Sequence, residues 1–433
     1  MSRAMKDSGI AWIGLLPCAW TVGRIGQLYT ERKEKVSDVD FQPLSVTMKG
    51  ILPQLSTAAK TDAHDDRKLV RKGDFAINSR SDRRGSCGIS PFDGSVSLIN
   101  TILTPRNEMN PGFYNWLFHS TMFSDEFYKW GHGIVDDLWT TNWQDMKSIL
   151  VPIPPLPEQS RIAAYLDRRC AEIDRVIAAT QRTIEEYKKL KQSIITEAVT
   201  HGVRGPRKMK DSGLRWLGTI SMDFSICKLK RFTDIISKGT TPSDIANEYD
   251  ALHSIRYLKS ENIIENKLSE KPLFTITEFI HRNDLKRSQL SENDILFVIA
   301  GASIGKVAVM NSCFLPANTN QAVSFIRIKR EKKEFIDYLS YVLQSNLMKK
   351  YISLYAVQSA QPNLSMEDLS DFYVPFPKDA EEIKNIVCYL NEKCVEIDRL
   401  IESKQRLITE LESYKKSVIY EYVTGKREVP ECQ

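Results

Sequence analysis

The chain has 433 residues, 42% of them hydrophobic and 27% charged, with 60 Lys+Arg against 55 Asp+Glu and a formal charge of +5. That length predicts two or more domains, and the apolar content supplies cores and excludes a disordered chain. The mild positive charge admits an anionic partner without demanding one. Cysteines at 18, 87, 170, 227, 313, 388, 394 and 432 form no CxxC and no Cys/His set of zinc spacing. No N-terminal apolar segment resembles a signal peptide and no apolar run is long enough to span a bilayer, which predicts a cytoplasmic protein with reduced thiols.

Along the chain, the first informative element is MKDSGIAWIG at Met5–Gly14, because it returns as MKDSGLRWLG at Met209–Gly218. Internal repeats fix architecture before anything else does. The region from about 20 to 150 reads as mixed strand and loop. In it, Leu69–Ser90 (LVRKGDFAINSRSDRRGSCGIS) gives a polar turn before Asp74, a short strand, then a loop holding Arg80, Arg83 and Arg84. Arginine bridges two acceptors of guanine or pairs with phosphate, so this loop is a candidate nucleic-acid reader, with Lys49 a further basic candidate. The competing reading is a solvated turn neutralised by Asp82. Trp130, Trp139 and Trp143 read as a packing cluster rather than a base-stacking platform.

Next comes VPIPPLPEQSRIAAYLDRRCAEIDR and onward to Thr200, a long amphipathic helix. Pro157 and Glu158 suit a first turn with free N–H groups, and Gly202 and Gly205 close it. Leu166, Ile173, Thr180, Tyr187 and Ile194 recur at seven-residue spacing, as do, nearly, Ile162, Cys170, Ile177, Ile184, Lys191 and Ala198. A narrow apolar seam with charged flanks is what a coiled-coil pair needs.

The second globular region, about 224 to 373, carries Leu290–Met310 (LSENDILFVIAGASIGKVAVM), with Asp294 placed as Asp74 is in the first. Candidate contacts here are Lys238, Thr240 and Thr241 in SKGTTPS, Lys259, Lys306, and Gln358, Gln361 and Asn363 in VQSAQPNLS, whose amides could address adenine. Surface amides are also routine, so the bland reading stands beside it. The chain then repeats its helix: Cys170–Thr200 aligns without a gap to Cys394–Thr424, an offset of 224, with roughly half the positions identical. Leu390, Ile397, Lys404, Leu411 and Val418 restate the seam. The predicted packing residues are Leu166, Ile173, Tyr187, Ile194, Leu390, Ile397, Leu411 and Val418, with the helices antiparallel on each other. The competing reading pairs each seam with a helix of another protein.

Catalytic signatures fail on inspection. GASIGK at Gly301–Lys306 has three residues between its glycines and Val307 after the lysine, where a phosphate loop needs four and then Ser or Thr. There is no GxGxxG after a strand and no HExxH. Pro154–Pro155 lacks the flanking Asn or Asp and aromatic of an amino-methyltransferase. The chain reads as a binder, not a catalyst.

KDSGIAWIGLLPCAW, VPIPPLPEQSRIAAYLD, KGTTPS, ENDILF and SIGKVAV together resemble the specificity (S) subunit of type I restriction-modification systems, over essentially the whole chain. The resemblance implies an α+β fold: two mixed α/β target recognition domains separated by two long helices forming an antiparallel coiled coil, with a pseudo-two-fold internal repeat. The implied division is 1–150 and 209–373 for the recognition domains, and 151–208 and 374–433 for the helical regions. It implies that double-stranded DNA with a bipartite asymmetric site is bound, that two methyltransferase (M) and two restriction (R) subunits are partners, and that the membrane is not. S-adenosylmethionine, ATP and Mg belong to those partners, and this chain itself holds no cofactor or metal and has no catalytic residue. A tandem DNA-binding regulator or scaffold acting without a methyltransferase is the alternative. Ser221 and Phe224 replace Pro17 and Trp20, and KDAEE replaces PLPEQ, so helix docking is expected more firmly at the first junction than at the second.

Overall fold

The computed structural model describes residues 3–54, 66–106, 109–134, 139–329, 332–356 and 362–430. Two compact units emerge, one of residues 1–181 with 405–433 and the other of residues 182–404. The boundaries fall inside both long helices. No helix among the described residues is long and apolar enough to cross a membrane.

The first unit is built on a four-stranded antiparallel sheet of β1 (Tyr29–Glu31), β2 (Phe75–Asn78), β3 (Cys87–Ile89) and β4 (Asn100–Pro105), in the order β3-β2-β4-β1. Phe75 to Asn78 are all buried, as expected for a central strand covered on both faces. Helices α1 (Pro111–His119) and α2 (Thr121–Lys129) follow. Asn110 caps α1 by accepting from Phe113 N, and Ser120 ends α1 while capping α2, each supplying an oxygen to an otherwise orphaned N–H. After a strand at Leu150–Ile153 paired with Thr21–Arg24, the chain enters α3 (Leu156–His201).

The second unit repeats the plan. Strands β5 (Thr233–Lys238), β6 (Ile295–Val298), β7 (Val307–Val309) and β8 (Val323–Ile328) lie in the order β7-β6-β8-β5, strand for strand that of the first. Helices α4 (Lys333–Gln344) and α5 (Asn346–Tyr355) are joined at Ser345, which caps as Ser120 does. Tyr373–Pro377 pairs with Phe224–Lys228 before α6 (Ala380–Val423). The acidic residue before each central strand has one role in both units. Asp74 accepts from Arg71 N at 2.9 Å and from Arg32 Nε at 2.7 Å, and Asp294 accepts from Ser291 N at 2.8 Å and from Arg327 Nη2 at 2.7 Å. The additions differ: a sheet of Lys35–Val36, Arg67–Val70 and Gly94–Val96 in the first unit, and one of Ile255–Leu258, Thr275–Ile276 and Ala317–Thr319, with one parallel pairing, in the second.

The long helices run antiparallel within each unit. In the first, Ile162, Leu166 and Cys170 of α3 share one core with Val418, Ile419, Tyr422 and Val423 of α6, and Lys415 Nζ meets Asp174 Oδ1 at 2.6 Å. In the second, Ile195, Ala198 and Val199 share a core with Ile386, Leu390 and Cys394, and Lys191 Nζ meets Asp398 Oδ1 at 2.6 Å. Lys191 and Lys415, like Asp174 and Asp398, are 224-offset equivalents, so these ion pairs are the same contact made twice. Lys191, which interrupts the seam, is thereby accounted for. Of the predicted packing residues, Leu166, Ile173, Leu390, Ile397 and Val418 are buried, and Tyr187, Ile194 and Leu411 half-buried. Sequence reading missed the second seam of α6: Val387, Cys394, Ile401, Ile408, Lys415 and Tyr422, also at heptad spacing. Gly202, at φ +80, ends α3 with its N–H on Ala198 O, in the left-handed conformation such a stop requires.

Candidate nucleic-acid interface

In each unit the loops after the second sheet strand gather at one end of the four-stranded sheet. In the first unit, β2 runs out into a turn at Ser81–Arg83 that carries Arg80, Arg83 and Arg84. Its base is pinned: Arg80 N donates to Asn78 Oδ1 at 3.1 Å, Tyr128 OH to Arg80 O at 2.9 Å, and Thr141 N to Ser79 O at 2.9 Å. Arg80 and Arg83 both face Asp82, at 3.4 and 3.6 Å, while Arg84 lies 3.6 Å from Asp125 and over the Tyr128 ring. Such loose, exposed pairs hold little energy, so phosphate oxygens could replace the carboxylates. Lys49 is not part of this cluster; it sits in the turn of the Leu44–Thr47 and Gly50–Pro53 hairpin, which packs on β3.

The second unit gathers more of its candidates. β5 ends at Lys238 opposite Ser324, β6 at Val298 opposite Val323, and β7 begins at Val307 opposite Phe297. The following loops, with Thr240, Thr241 and Lys306, therefore share that end. Asn363 joins them, because residues 362–364 dock on the β6 exit: Gly301 N donates to Pro362 O and Leu364 N to Ile299 O. Lys259 follows Leu258, which pairs with Thr319, and its ammonium rests 3.6 Å from the Phe274 ring centroid. Gly239 is required here, since a Cβ would stand 1.6 Å from Thr319 O. The resulting close approach orders the turn, with Tyr257 OH donating to Thr240 O at 2.9 Å and Thr241 bonded to Gln321. Lys238, Lys259 and Lys306 form no ion pair among the described residues. Gln358 and Gln361 lie outside the described residues.

One residue at this surface escaped the sequence reading. Arg80 bridges Thr140 as Ala300 bridges Asn363, so Thr140 occupies in the first unit the place of Asn363 in the second. The available signal was distance: Thr140 stands as far before VPIP as Asn363 stands before VPFP. Of the three tryptophans Trp143 packs as read, while Trp130 is exposed. Trp143 lies against the core, Trp139 Nε1 donates to Tyr128 O at 2.8 Å, and Trp130 Nε1 to Glu126 at 3.0 Å.

Both junctions between globular part and helix are clamped on a carboxylate near the helix start. Glu158 accepts from Arg3 Nη2 at 2.6 Å and Trp20 Nε1 at 2.7 Å. Its 224-offset equivalent Glu382, 2% exposed, takes Arg204 Nε at 2.8 Å and Arg207 Nη2 at 2.9 Å. The second junction is thus clamped as well, by two ion pairs and by the Val203 N–H, which donates to Glu382 Oε1 at 3.2 Å. Phe224 fills the core where Trp20 does, and a second arginine supplies an ion pair where the first unit has the indole hydrogen bond.

This fold, with its doubled sheet-end loops, is similar to that of DNA specificity proteins. Residues 223–413 match the type I restriction modification DNA specificity domain. The MjaVIII type I restriction enzyme specificity subunit of Methanocaldococcus jannaschii is 26% identical over 428 residues, covering 95% of this chain and 93% of that one. The EcoBI specificity subunit of Escherichia coli is 25% identical over 252 residues, covering 55% and 50%. A solved structure described as the structural basis of complex assembly and conformational transition of the type I R-M system superposes with TM-score 0.69 at 16% identity, covering 95% of this chain and 99% of that one. Over 95% of its length the chain is similar to a specificity subunit of a type I restriction-modification system.

Proposed function

We propose that this chain is the non-catalytic DNA-recognition subunit of its complex and that it reads a bipartite, asymmetric site, one half with each sheet-end surface. The supporting observation is the duplication itself: two sheets of identical strand order, each followed by a helix of the same repeat, carry unlike loops at equivalent ends. Equivalent scaffolds place the readers alike, and different loops read different sequences. In the first unit Arg80, Arg83 and Arg84 supply bidentate donors for guanine or phosphate. In the second, Lys238, Lys259 and Lys306 supply phosphate contacts while Thr240, Thr241 and Asn363 face base edges. Phosphate contacts carry most of the affinity and base contacts the choice.

The two long helices joining the lobes then set the spacer between half-sites, which for readers on one face of DNA is about one helical turn. Two methyltransferase subunits dock on the complex, bind S-adenosylmethionine, and take adenine out of the stack for N6 methylation. Two restriction subunits bring ATP- and Mg-dependent cleavage. The assembly works in the cytoplasm. Single-molecule methylation mapping of DNA from cells carrying this chain with its partner chains tests the proposal: exchanging residues 1–150 for another such lobe should alter one half-site and leave the other unchanged. A change in both halves, or methylation by the isolated chain, would overturn it.

A further inference from the structure

We propose that Trp116 and Tyr341 are positioning residues: each bolts its lobe to a long helix at a fixed angle, and together they set how strictly the spacer between half-sites is measured. This rests on the bipartite reading above. Trp116 on α1 donates its indole N–H to Asp167 Oδ1 on α3 at 2.8 Å, within the first unit. Tyr341 on α4 donates its hydroxyl to Asn391 Oδ1 on α6 at 2.7 Å, within the second. Asp167 and Asn391 are separated by the same 224 residues that relate Cys170 to Cys394. Neither donor nor acceptor is the same residue type in the two units. The bond recurs although the chemistry making it has changed, which marks the bond itself as the feature retained.

Apart from the carboxylate clamps at Glu158 and Glu382, the other lobe-to-helix hydrogen bonds do not recur in this way. In the first unit Asn110 N donates to Gln159 Oε1 and Asn110 Nδ2 to Ser160 Oγ, both in the first turns of α3. In the second, Asn346 N donates to Thr196 Oγ1 and Tyr338 OH to Val199 O, both in its last turns. The shared hydrophobic cores hold lobe and helix together, but burial is non-directional and does not by itself fix a rotation. A hydrogen bond is angular and fixes one.

Each bolt also leads mechanically to a reading loop. From Trp116, α1 carries Phe118, whose ring stacks edge-on with Phe75 of β2 at 5.0 Å, and β2 ends in the Arg80 loop. From Tyr341, α4 packs Leu339, Val342 and Leu343 in one core with Phe297 and Val307, the strand ends that bound the Lys306 loop. Rotation at the helix therefore displaces the base-reading loops, and each base pair added to the spacer turns one half-site by roughly 35° and shifts it by about 3.4 Å, a change that a rigid bolt resists.

The test uses the complete chain assembled with its methyltransferase chains. Methylation rates are measured on duplexes carrying both half-sites with the native spacer and with one base pair added or removed. Tyr341→Phe keeps the ring and deletes only the donor, whereas Trp116→Phe removes the N–H together with part of the indole that packs on the core; Asp167→Leu and Asn391→Leu, on exposed helix positions, delete the acceptor without touching the core. We expect all four to raise the rate on altered spacers at least tenfold relative to the native spacer, with both half-sites still required. Asp167→Asn and Asn391→Asp, which keep an acceptor, should preserve the strict profile. A wild-type complex that demands both half-sites, beside variants whose spacer profiles match it, overturns the proposal. A wild-type complex indifferent to one half-site removes the bipartite reading and this inference with it.

Discussion

Reversing Lys191 is the sharpest probe of the helix pairing. Its ammonium meets Asp398 Oδ1 at 2.6 Å, with side-chain exposures of 18% and 29%. An ion pair so placed belongs at the upper end of the surface range, about 1 kcal/mol. Lys191→Glu removes that attraction and sets two carboxylates together, for a total cost of about 2 kcal/mol, of which repulsion supplies roughly half. Lys267 also approaches Asp398, at 3.5 Å, so Asp398→Lys in the double variant restores the pair while opposing Lys267, and recovery falls short of complete. In the first unit Lys415→Glu opposes Asp174, which is 57% exposed, and the cost should be nearer 1 kcal/mol because solvent screens it. Amide hydrogen exchange over residues 184–198 reads local opening without assuming two-state unfolding. Two kcal/mol is roughly thirtyfold faster exchange, most of it reversed in the swap. Additive single effects with no rescue would show that these residues do not meet and would refute antiparallel pairing in that unit.

Glu382→Gln leaves Arg204 and Arg207 converging without their carboxylate and should destabilise the second unit by about 3 kcal/mol, seen as earlier proteolysis near residues 200–210; unchanged resistance would count against the clamp. Leu166→Ala, at a site with no exposed area, should cost about 2–5 kcal/mol through the cavity left, measured by exchange in the first unit, with wild-type protection there as the contrary result. Two histidines should respond to pH with opposite sign. Hydrogen bonding to Asp250, then Asp244, raises His253 above the ordinary histidine value. Its contribution is therefore complete below the unfolded pKa and lost as pH rises through the higher folded one. Burial lowers His119, so its neutral form is the folded one, and the first unit loses stability as pH falls through its unfolded pKa toward the folded value. Imidazole proton NMR titration checks both; a His253 midpoint below the His119 midpoint would contradict the assignment.

The helices were legible because their signal is local and periodic: heptad spacing at Leu166, Ile173 and Leu390, Ile397, a start at Pro157–Glu158 and a stop at Gly202 lie within single segments. The equivalence of Asp74 and Asp294 was legible for the same reason. Strand order was not, since the strands have three to six residues, and their pairing depends on partners far along the chain. The clamp at Glu382 was hidden because its arginines come from the segment just after the other long helix. Thr140 was hidden because a threonine has no signature of its own, and only its place opposite Arg80 gives it a role. Trp116 and Tyr341 were missed because each meets its acceptor some 50 residues on, and unlike residues do the same work.

The pattern of what recurs separates two tasks. Contacts that hold a lobe to its helices, or one long helix to the other, keep their 224-offset partners: Glu158 and Glu382, Asp167 and Asn391, and, between the helices, Asp174 and Asp398. Contacts at the sheet ends do not. Three arginines in one unit stand against lysines, threonines and Asn363 in the other, and one turn is neutralised by Asp82 while the other draws its order from Gly239 lying against Thr319. A carboxylate clamp tolerates little change, because an unpaired buried charge is costly. A loop at a strand end pays no such penalty for substitution, since its side chains are exposed and its backbone is fixed by the sheet behind it. The same scaffold can therefore carry one set of loops after another without disturbing the geometry that holds them, and exchanging loops alone should move sequence choice independently of spacer.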